Sequence, residues 1–208
     1  LTTILFMNRK VRAFHLILAT YGLWRPNDPR GSWSDLLRAW ELYWFGGSAT
    51  KVSTRRSLAR DPHDRARRKR AKEHLAREPV SFTGLQAKLI GDAFAGYAKR
   101  SQVVIHACAI LPEHIHLVIG RHRRLTIEQI ANQLKGAATR MIQTYDLHPF
   151  ADQPYRDGSF PTPWARKWWK CFLWDEPEIV RASDYANDNP EKDGLPRQEW
   201  SFVTPFVA

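Results

Sequence analysis

Two apolar runs separated by three residues constrain the fold of this 208-residue chain more than any other feature. The runs are residues 102–110 and 114–120, and a Leu-Pro-Glu segment at 111–113 connects them. A connection this short is typical of two antiparallel strands. The sequence therefore predicts a β-hairpin whose strands lie within a sheet.

Two histidines, His114 and His116, stand two residues apart in the second run. Because successive side chains of a strand point to opposite faces, both imidazoles would lie on one face, with Ile115 and Leu117 on the other. Two nitrogen ligands that converge on one point suit a divalent cation. The pair alone is weak evidence for a metal site, since histidines in strands often have only a structural role.

The hydrophobic periodicity predicts one further strand and three helices. Residues 11–21 are mostly apolar and aromatic and precede a glycine, a pattern typical of a buried strand. Helices are predicted from residues 81–83 through Arg100, from Thr126 to Tyr145 and from Glu176 to Pro190, with an extended segment before the last helix and an extended strand or loop after it. This pattern indicates an α+β fold, in which helices pack beside an antiparallel sheet.

The charge of the chain indicates a polyanionic partner. Lysines and arginines number 32 against 21 aspartates and glutamates, which gives a formal net charge of +11. Nucleic acid is the first candidate for such a protein. Phe, Trp and Tyr make up 12% of the residues, and these rings could stack on unpaired bases or equally well fill the core.

Three segments combine basic and aromatic character in a way that suits contact with DNA. The loop at 24–33 has two Trp and two Arg, the stretch at 55–77 is strongly basic without an apolar stripe, and the cluster at 164–170 contains both types. For the loop at 24–33, the alternative is that its tryptophans pin it to the core, and for the stretch at 55–77 it is a solvated insertion. The candidate DNA-binding residues are Arg25, Arg30, Trp33, Arg67, Arg68, Arg70, Lys135, Arg140, Arg166, Lys167 and Trp168.

Several other protein classes find no support in the sequence. The two cysteines, Cys108 and Cys171, form no C-x-x-C pair, so neither a zinc ribbon nor a disulfide framework is predicted, and a reducing cytoplasm fits. No apolar run approaches the roughly 20 residues of a membrane span, and residues 1–11 lack a signal-peptide cleavage site. A phosphate-binding glycine loop and a cofactor fingerprint are also missing. We expect a soluble intracellular protein without a membrane partner.

Four segments carry a resemblance to a known family. The Leu-Pro-Glu-His-Ile-His run at 111–116 resembles the metal-binding signature of the HUH single-tyrosine (IS200-like) transposases, especially the REP-associated tyrosine transposases. Residues 183–195 resemble their Y-x-x-x-N-P-x-x-x-G-L block, with Tyr185 and Asn189 at the Tyr and Asn positions. Residues 19–33 and 134–140 are similar to two further motifs of the family, so the resemblance extends from about residue 11 to the end of the sequence.

This resemblance implies a fold and a reaction. The fold would be an HUH sandwich, ferredoxin-like or RRM-like, in a single domain over residues 1–208 with a basic insertion at about 46–80. The protein would be a metal-dependent endonuclease and strand transferase, a transposase acting on single-stranded DNA at hairpins. Tyr185 would be the nucleophile that forms a 5′-phosphotyrosine, and His114, His116 and Asn189 would hold Mg²⁺ or Mn²⁺. Residues four apart share a helical face, so Tyr185 and Asn189 can point to one site.

Alternatives to this assignment stay open. Tyr145 is the rival nucleophile, because single-tyrosine relatives outside the REP-associated group place theirs on a helix after the His-x-His strand. A domesticated relative would bind hairpin DNA without cutting it, and an RNA-processing enzyme or an unrelated metal hydrolase would not need Tyr185. The implied setting is the bacterial cytoplasm in association with the nucleoid, and the protein would be a monomer or a homodimer.

Overall fold

The computed structural model of the chain describes residues 10–23, 73, 75–166 and 168–207. Within these ranges lie four strands and three helices: β1 (Ala13–Ala19), α1 (Gly84–Ser101), β2 (Ile105–Ile110), β3 (His114–Gly120), α2 (Ile127–Thr144), β4 (Trp169–Leu173) and α3 (Glu176–Lys192). Most of the basic insertion predicted at 46–80 lies outside the described residues.

The strands form one four-stranded sheet in the order β2-β3-β1-β4. β2 and β3 pair antiparallel across the three-residue connection, with Ala109 opposite His116 and Ile110 opposite Ile115. The element order β1-α1-β2-β3-α2-β4, with β1 and β3 at the centre of the sheet, is that of a ferredoxin-like fold. The predicted α+β class and the predicted hairpin are therefore confirmed.

Capping boxes start the first two helices where the sequence predicts. The Thr83 hydroxyl accepts from the backbone N–H of Gln86, and the Gln86 side chain accepts from the backbone N–H of Thr83. Thr126 and Gln129 make the same reciprocal pair at the start of α2. Each box satisfies two backbone donors that a helix start leaves without partners. No helix in the described part of the chain is long and apolar enough to cross a membrane.

The end of α3 differs from the prediction, because the helix continues through Pro190 to Lys192. A proline lacks the N–H that would bond the carbonyl four residues earlier, here that of Ala186, but it leaves the neighbouring hydrogen bonds intact. The backbone N–H of Asp193 then donates to the carbonyls of Asn189 and Pro190. One hydrogen bond is lost, and the last turn still closes.

α3 packs on the face of the sheet that carries small side chains. Ala13 of β1, Ala107 of β2 and Val118 of β3 form a buried cluster with Ile179 and Ala186 of α3. Three histidines share this face of the sheet, because side chains alternate along a strand. They are His15 of β1 and His114 and His116 of β3.

Larger apolar side chains project from the opposite face of the sheet. Leu16, Ile115, Leu117 and Ile119 are fully buried there, and each contributes about 1.5–3 kcal/mol through the removal of apolar surface from water. α1 and α2 pack against each other and cover this face, as right-handed β-α-β connections require. Much of the apolar core therefore lies on the side of the sheet away from the histidines.

The segment that follows α3 folds back along the edge strand β2, in agreement with the predicted extended strand or loop. The side chain of Gln198 accepts from the backbone N–H of Ile110 and donates to its carbonyl. The backbone N–H of Thr204 donates to the carbonyl of Ile105. These bonds satisfy edge groups that would otherwise be open to pairing with another chain.

The chain divides into two compact units. The first comprises residues 1–17, 82–148 and 170–208, and the second comprises 18–81 and 149–169. In the described part of the second unit, Thr20 forms an antiparallel bridge with Trp164, and its hydroxyl donates to the Val80 carbonyl. Trp164 is 2% exposed, so this member of the basic aromatic cluster is a core residue. The single domain expected from the resemblance stays a prediction.

The close contact between α1 and the C-terminal segment leads to a prediction about stability. A Cβ added at Gly91 would come within 2.2 Å of the Trp200 ring, whereas a Cβ added at Gly96, also within α1, would meet the flexible end of Arg100 at 3.2 Å. Gly91→Ala should therefore destabilise the protein by about 1–3 kcal/mol through overpacking, while Gly96→Ala should be neutral or stabilise it by about 0.5–1 kcal/mol. Thermal or urea unfolding checks this, and equal effects of the two variants would contradict the packing of Trp200 on α1.

Candidate active site

His114 and His116 meet on one face of β3. Their Nε2 atoms are 3.1 Å apart, and their rings are nearly perpendicular, with centroids 4.9 Å apart. His116 is 2% exposed, and His114 is half-buried. The alternation of side chains along the strand thus brings the two imidazole nitrogens to one point, at the edge of a buried region.

The separation of the two nitrogens fits adjacent ligands of one ion. An octahedral ion with bonds of 2.0–2.1 Å has neighbouring ligand atoms about 3.0 Å apart. Without an ion, the same separation is that of an N–H···N hydrogen bond between the rings. Within the described ranges, no group of three or more His, Cys, Asp or Glu side chains is arranged to hold a metal.

A third imidazole, that of His15 on β1, lies behind the pair. Its Nε2 is 3.0 Å from Nδ1 of His116, and the two rings lie edge to edge with centroids 5.2 Å apart and planes 29° apart. His15 is 6% exposed. The three side chains form a row in which the two nitrogens of His116 face different histidines. Sequence reasoning missed His15, although its place in an apolar strand was a usable signal.

Burial keeps the two inner imidazoles neutral. It lowers the pKa of His15 from 6.5 to about 4. It also lowers the pKa of His116 well below 6.5, and the proximity of His114 and His15 lowers it further. A buried cation without a partner is costly, so the uncharged ring is favoured in both cases. At neutral pH each ring therefore has one nitrogen with a free lone pair, the form that binds metal.

Tyr185 of α3 lies against this row of histidines. Its ring centroid is 5.5 Å from that of His116 and 5.8 Å from that of His15, in edge-to-face contacts. The neighbouring Ala186 is fully buried against the sheet, which holds this turn of the helix close, while Tyr185 itself is 48% exposed. The ammonium of Lys192 lies 5.3 Å from the Tyr185 ring centroid. The phenol is thus both anchored beside the imidazoles and open to a substrate.

Asn189 follows Tyr185 by one helical turn, as predicted. It is 8% exposed, and its Nδ2 donates to the Tyr185 backbone carbonyl. This bond uses a donor of the amide and leaves Oδ1 as an acceptor. An amide oxygen is a ligand that Mg²⁺ and Mn²⁺ accept. The rival tyrosine, Tyr145, is 60% exposed at the C-terminal end of α2. Of the two tyrosines, Tyr185 is the one that contacts the histidines.

Four members of the predicted DNA-binding set are among the described residues: Lys135, Arg140, Arg166 and Trp168. Lys135 and Arg140 are on α2, across the sheet from α3. Lys135 is half-buried, and burial lowers its pKa, while Arg140 is exposed and lines a groove of about 210 Å³ between α1 and α2. Arg166 is exposed, and Trp168 is half-buried. The other predicted members lie outside the described residues: Arg25, Arg30, Trp33, Arg67, Arg68, Arg70 and Lys167.

The geometry of the pair gives a prediction for cation binding. His116→Ala removes one of two converging nitrogens and should weaken the binding of Mn²⁺ by more than about 100-fold, beyond the 10–100-fold that loss of a supporting residue costs. His122→Ala is the matched control, because His122 instead accepts hydrogen bonds from the backbone of Arg124 and Leu125. Titration calorimetry measures both affinities. If both variants bind Mn²⁺ with equal affinity, His114 and His116 do not form a metal site.

Comparisons with known proteins agree with the resemblance. Residues 74–169 match the family model described as IS200-like transposases, and no curated protein matches the sequence. Among solved structures, the chain is similar to a REP-associated tyrosine transposase bound to a REP hairpin, with 13% identity over 93% of this chain and 76% of that one and a TM-score of 0.48. A putative transposase from Deinococcus radiodurans R1 has 16% identity over 83% and 86%, with a TM-score of 0.40.

The family match covers the β2-β3 hairpin with His114 and His116 and ends before α3, which carries Tyr185 and Asn189. The resemblance predicted from the sequence is therefore confirmed in that region, where residues 74–169 of this chain match the IS200-like transposases.

Proposed function

We propose that this chain is a metal-dependent endonuclease and strand transferase that cuts and rejoins single-stranded DNA through a tyrosine nucleophile. One observation carries the proposal: a half-exposed tyrosine, Tyr185, packs edge-on against His116, whose Nε2 meets that of His114. The match of residues 74–169 to IS200-like transposases supports a DNA-processing enzyme. The role of Tyr185 as nucleophile and the role of a bound cation are proposals that go beyond that match.

The donor set fits a divalent cation of the Mg²⁺ or Mn²⁺ type. His114 and His116 would hold it through Nε2, and Asn189 would add its amide oxygen. When bound, such an ion polarises a phosphate oxygen and neutralises charge that develops on the phosphate. Imidazole ligands favour Mn²⁺ over Mg²⁺. The burial that keeps His116 neutral also favours its role as a ligand, because a protonated imidazole cannot bind a metal.

The residues of the chain itself supply the covalent chemistry. The Tyr185 oxygen attacks the phosphorus of the scissile phosphate and gives up its proton to water, which reaches the half-exposed phenol. The bond from phosphorus to the 3′ oxygen breaks and the departing oxygen takes a proton from water, so that the products are a 5′-phosphotyrosine and a free 3′-hydroxyl. Attack by a 3′-hydroxyl on the phosphotyrosine reverses these steps and rejoins DNA. The covalent bond conserves the energy of the phosphodiester, so no nucleotide cofactor is needed.

The substrate we propose is unpaired DNA next to a hairpin, bound by a monomer or a homodimer. The net charge of +11 supports a polyanionic ligand. Covalent attack requires that the scissile phosphate reach a phenol that lies against the sheet, and a flexible single strand meets this requirement more easily than a duplex does. Binding without cleavage is the second candidate, that of a domesticated hairpin-binding protein, and the nucleophile test distinguishes the two.

The nucleophile can be identified with two matched variants. A hairpin oligonucleotide labelled at its 3′ end should form a labelled covalent adduct with the protein in Mn²⁺, and the same oligonucleotide labelled at its 5′ end should release a free fragment. Tyr185→Phe should abolish the adduct, because the attacking oxygen is lost, whereas Tyr145→Phe should retain it. Denaturing gels detect the adduct, and mass spectrometry of a protease digest locates the modified peptide.

Three outcomes of this experiment would contradict the proposal. An adduct that maps to Tyr145, or cleavage by Tyr185→Phe at the wild-type rate, would exclude Tyr185 as the nucleophile. Hairpin binding by the wild-type protein without any adduct would favour the non-cleaving alternative.

Salt dependence tests the electrostatic part of the proposal. If a handful of phosphates are neutralised, affinity for a hairpin with a single-stranded flank should fall by about 10-fold to 1000-fold between 50 and 200 mM salt. Tyr185→Phe should show the same slope as the wild-type protein, because it changes no charge. Fluorescence anisotropy measures both curves. An affinity that barely changes over this range would argue against phosphate contacts as the main source of binding.

A further inference from the structure

His15 is a polar side chain at a buried position of an apolar strand. Its Nε2 lies 3.0 Å from Nδ1 of His116, and it is 6% exposed. An apolar side chain at this position would leave Nδ1 of His116 without this partner. Because β1 and β3 are neighbours in the sheet, strand pairing itself holds the His15 ring in place.

We infer that His15 is a positioning residue that fixes the tautomer and orientation of His116, so that the Nε2 lone pair of His116 faces the cation site. This inference rests on the proposed function. A neutral imidazole carries its single N–H on one nitrogen. For Nε2 to bind an ion, the proton of His116 must be on Nδ1, and a buried N–H needs an acceptor. His15 Nε2 supplies that acceptor, and its own proton is then on Nδ1.

The opposite tautomer would defeat metal binding at this position. If Nδ1 of His116 were the acceptor, its proton would be on Nε2 and would point at His114, 3.1 Å away. Supporting hydrogen bonds of this kind raise the basicity of a metal-binding imidazole and prevent its ring from rotating. The centroids of His15 and His116 are 5.2 Å apart and their planes differ by 29°, so the two rings lie edge to edge, as a hydrogen bond between their nitrogens requires.

His15 also touches Tyr185, with centroids 5.8 Å apart. A loss of cleavage in a His15 variant would therefore not distinguish an effect on the metal ligand from an effect on the nucleophile. Binding of Mn²⁺ in the absence of DNA does distinguish them, because the phenol takes no part in it. His122→Ala serves as the control and should bind Mn²⁺ with wild-type affinity, because His122 instead accepts hydrogen bonds from the backbone of Arg124 and Leu125.

The experiment compares three substitutions of His15 by electron paramagnetic resonance of free Mn²⁺ in titrations of the full chain. His15→Leu removes the acceptor and should weaken Mn²⁺ binding by about 10-fold to 100-fold. His15→Gln can place its amide oxygen where Nε2 lies and should restore most of the affinity. His15→Asn is one methylene shorter than Gln, falls short of His116 and should remain weak.

Each outcome decides the inference. Wild-type affinity in His15→Leu, or equally weak binding by the Gln and Asn variants, would overturn the positioning role. If the Leu variant does not fold, as judged by circular dichroism in EDTA, the contrast between Gln and Asn provides the same decision. Failure of the proposed function looks different: the wild-type protein and His116→Ala would then bind Mn²⁺ equally, whatever residue stands at position 15.

Discussion

The packing of α3 against the small side chains of the sheet is the contact on which the candidate site depends. Ala13 and Ala107 lie under Ile179 and Ala186, and the absence of larger side chains allows the helix to approach the sheet closely. That approach brings the ring of Tyr185, the neighbour of Ala186, into contact with His116. A larger residue at Ala186 would move the helix outward and separate the phenol from the imidazoles.

The same contact produces two different environments side by side. His15 and His116 lie in the buried layer between helix and sheet, where the cost of burying a cation keeps both rings neutral. Tyr185 stands at the margin of that layer and is half-exposed. The reaction that we propose needs both conditions, since proposed metal ligands must be unprotonated while a proposed nucleophile must be reached by a polymeric substrate.

The described basic residues of α2 are separated from this chemistry. Lys135 and Arg140 lie on the helical layer that covers the other face of the sheet. In the proposed function they are candidates for contacts to DNA remote from the scissile phosphate. Such contacts would provide affinity that depends on salt, whereas in the proposed reaction the histidine and tyrosine side chains act at the scissile phosphate.

The sequence by itself determined the local parts of this protein. The short connection at 111–113 predicts the hairpin, side-chain alternation brings His114 and His116 together, and the threonine caps predict the starts of α1 and α2. These features depend on residues close in the chain. Tyr185 and Asn189 came from the resemblance, because nothing local indicates that their helix packs on the histidine face.

Only the tertiary structure decided which residues complete the site. His15 and His116 are 101 residues apart, and they meet because β1 pairs beside β3 in the sheet, an arrangement that no local pattern specifies. The continuation of α3 past Pro190 was likewise not predicted; the helix loses one hydrogen bond there, and the backbone N–H of Asp193 still closes the last turn. Long-range strand order and helix packing, whose energies come from contacts distant in sequence, placed these residues.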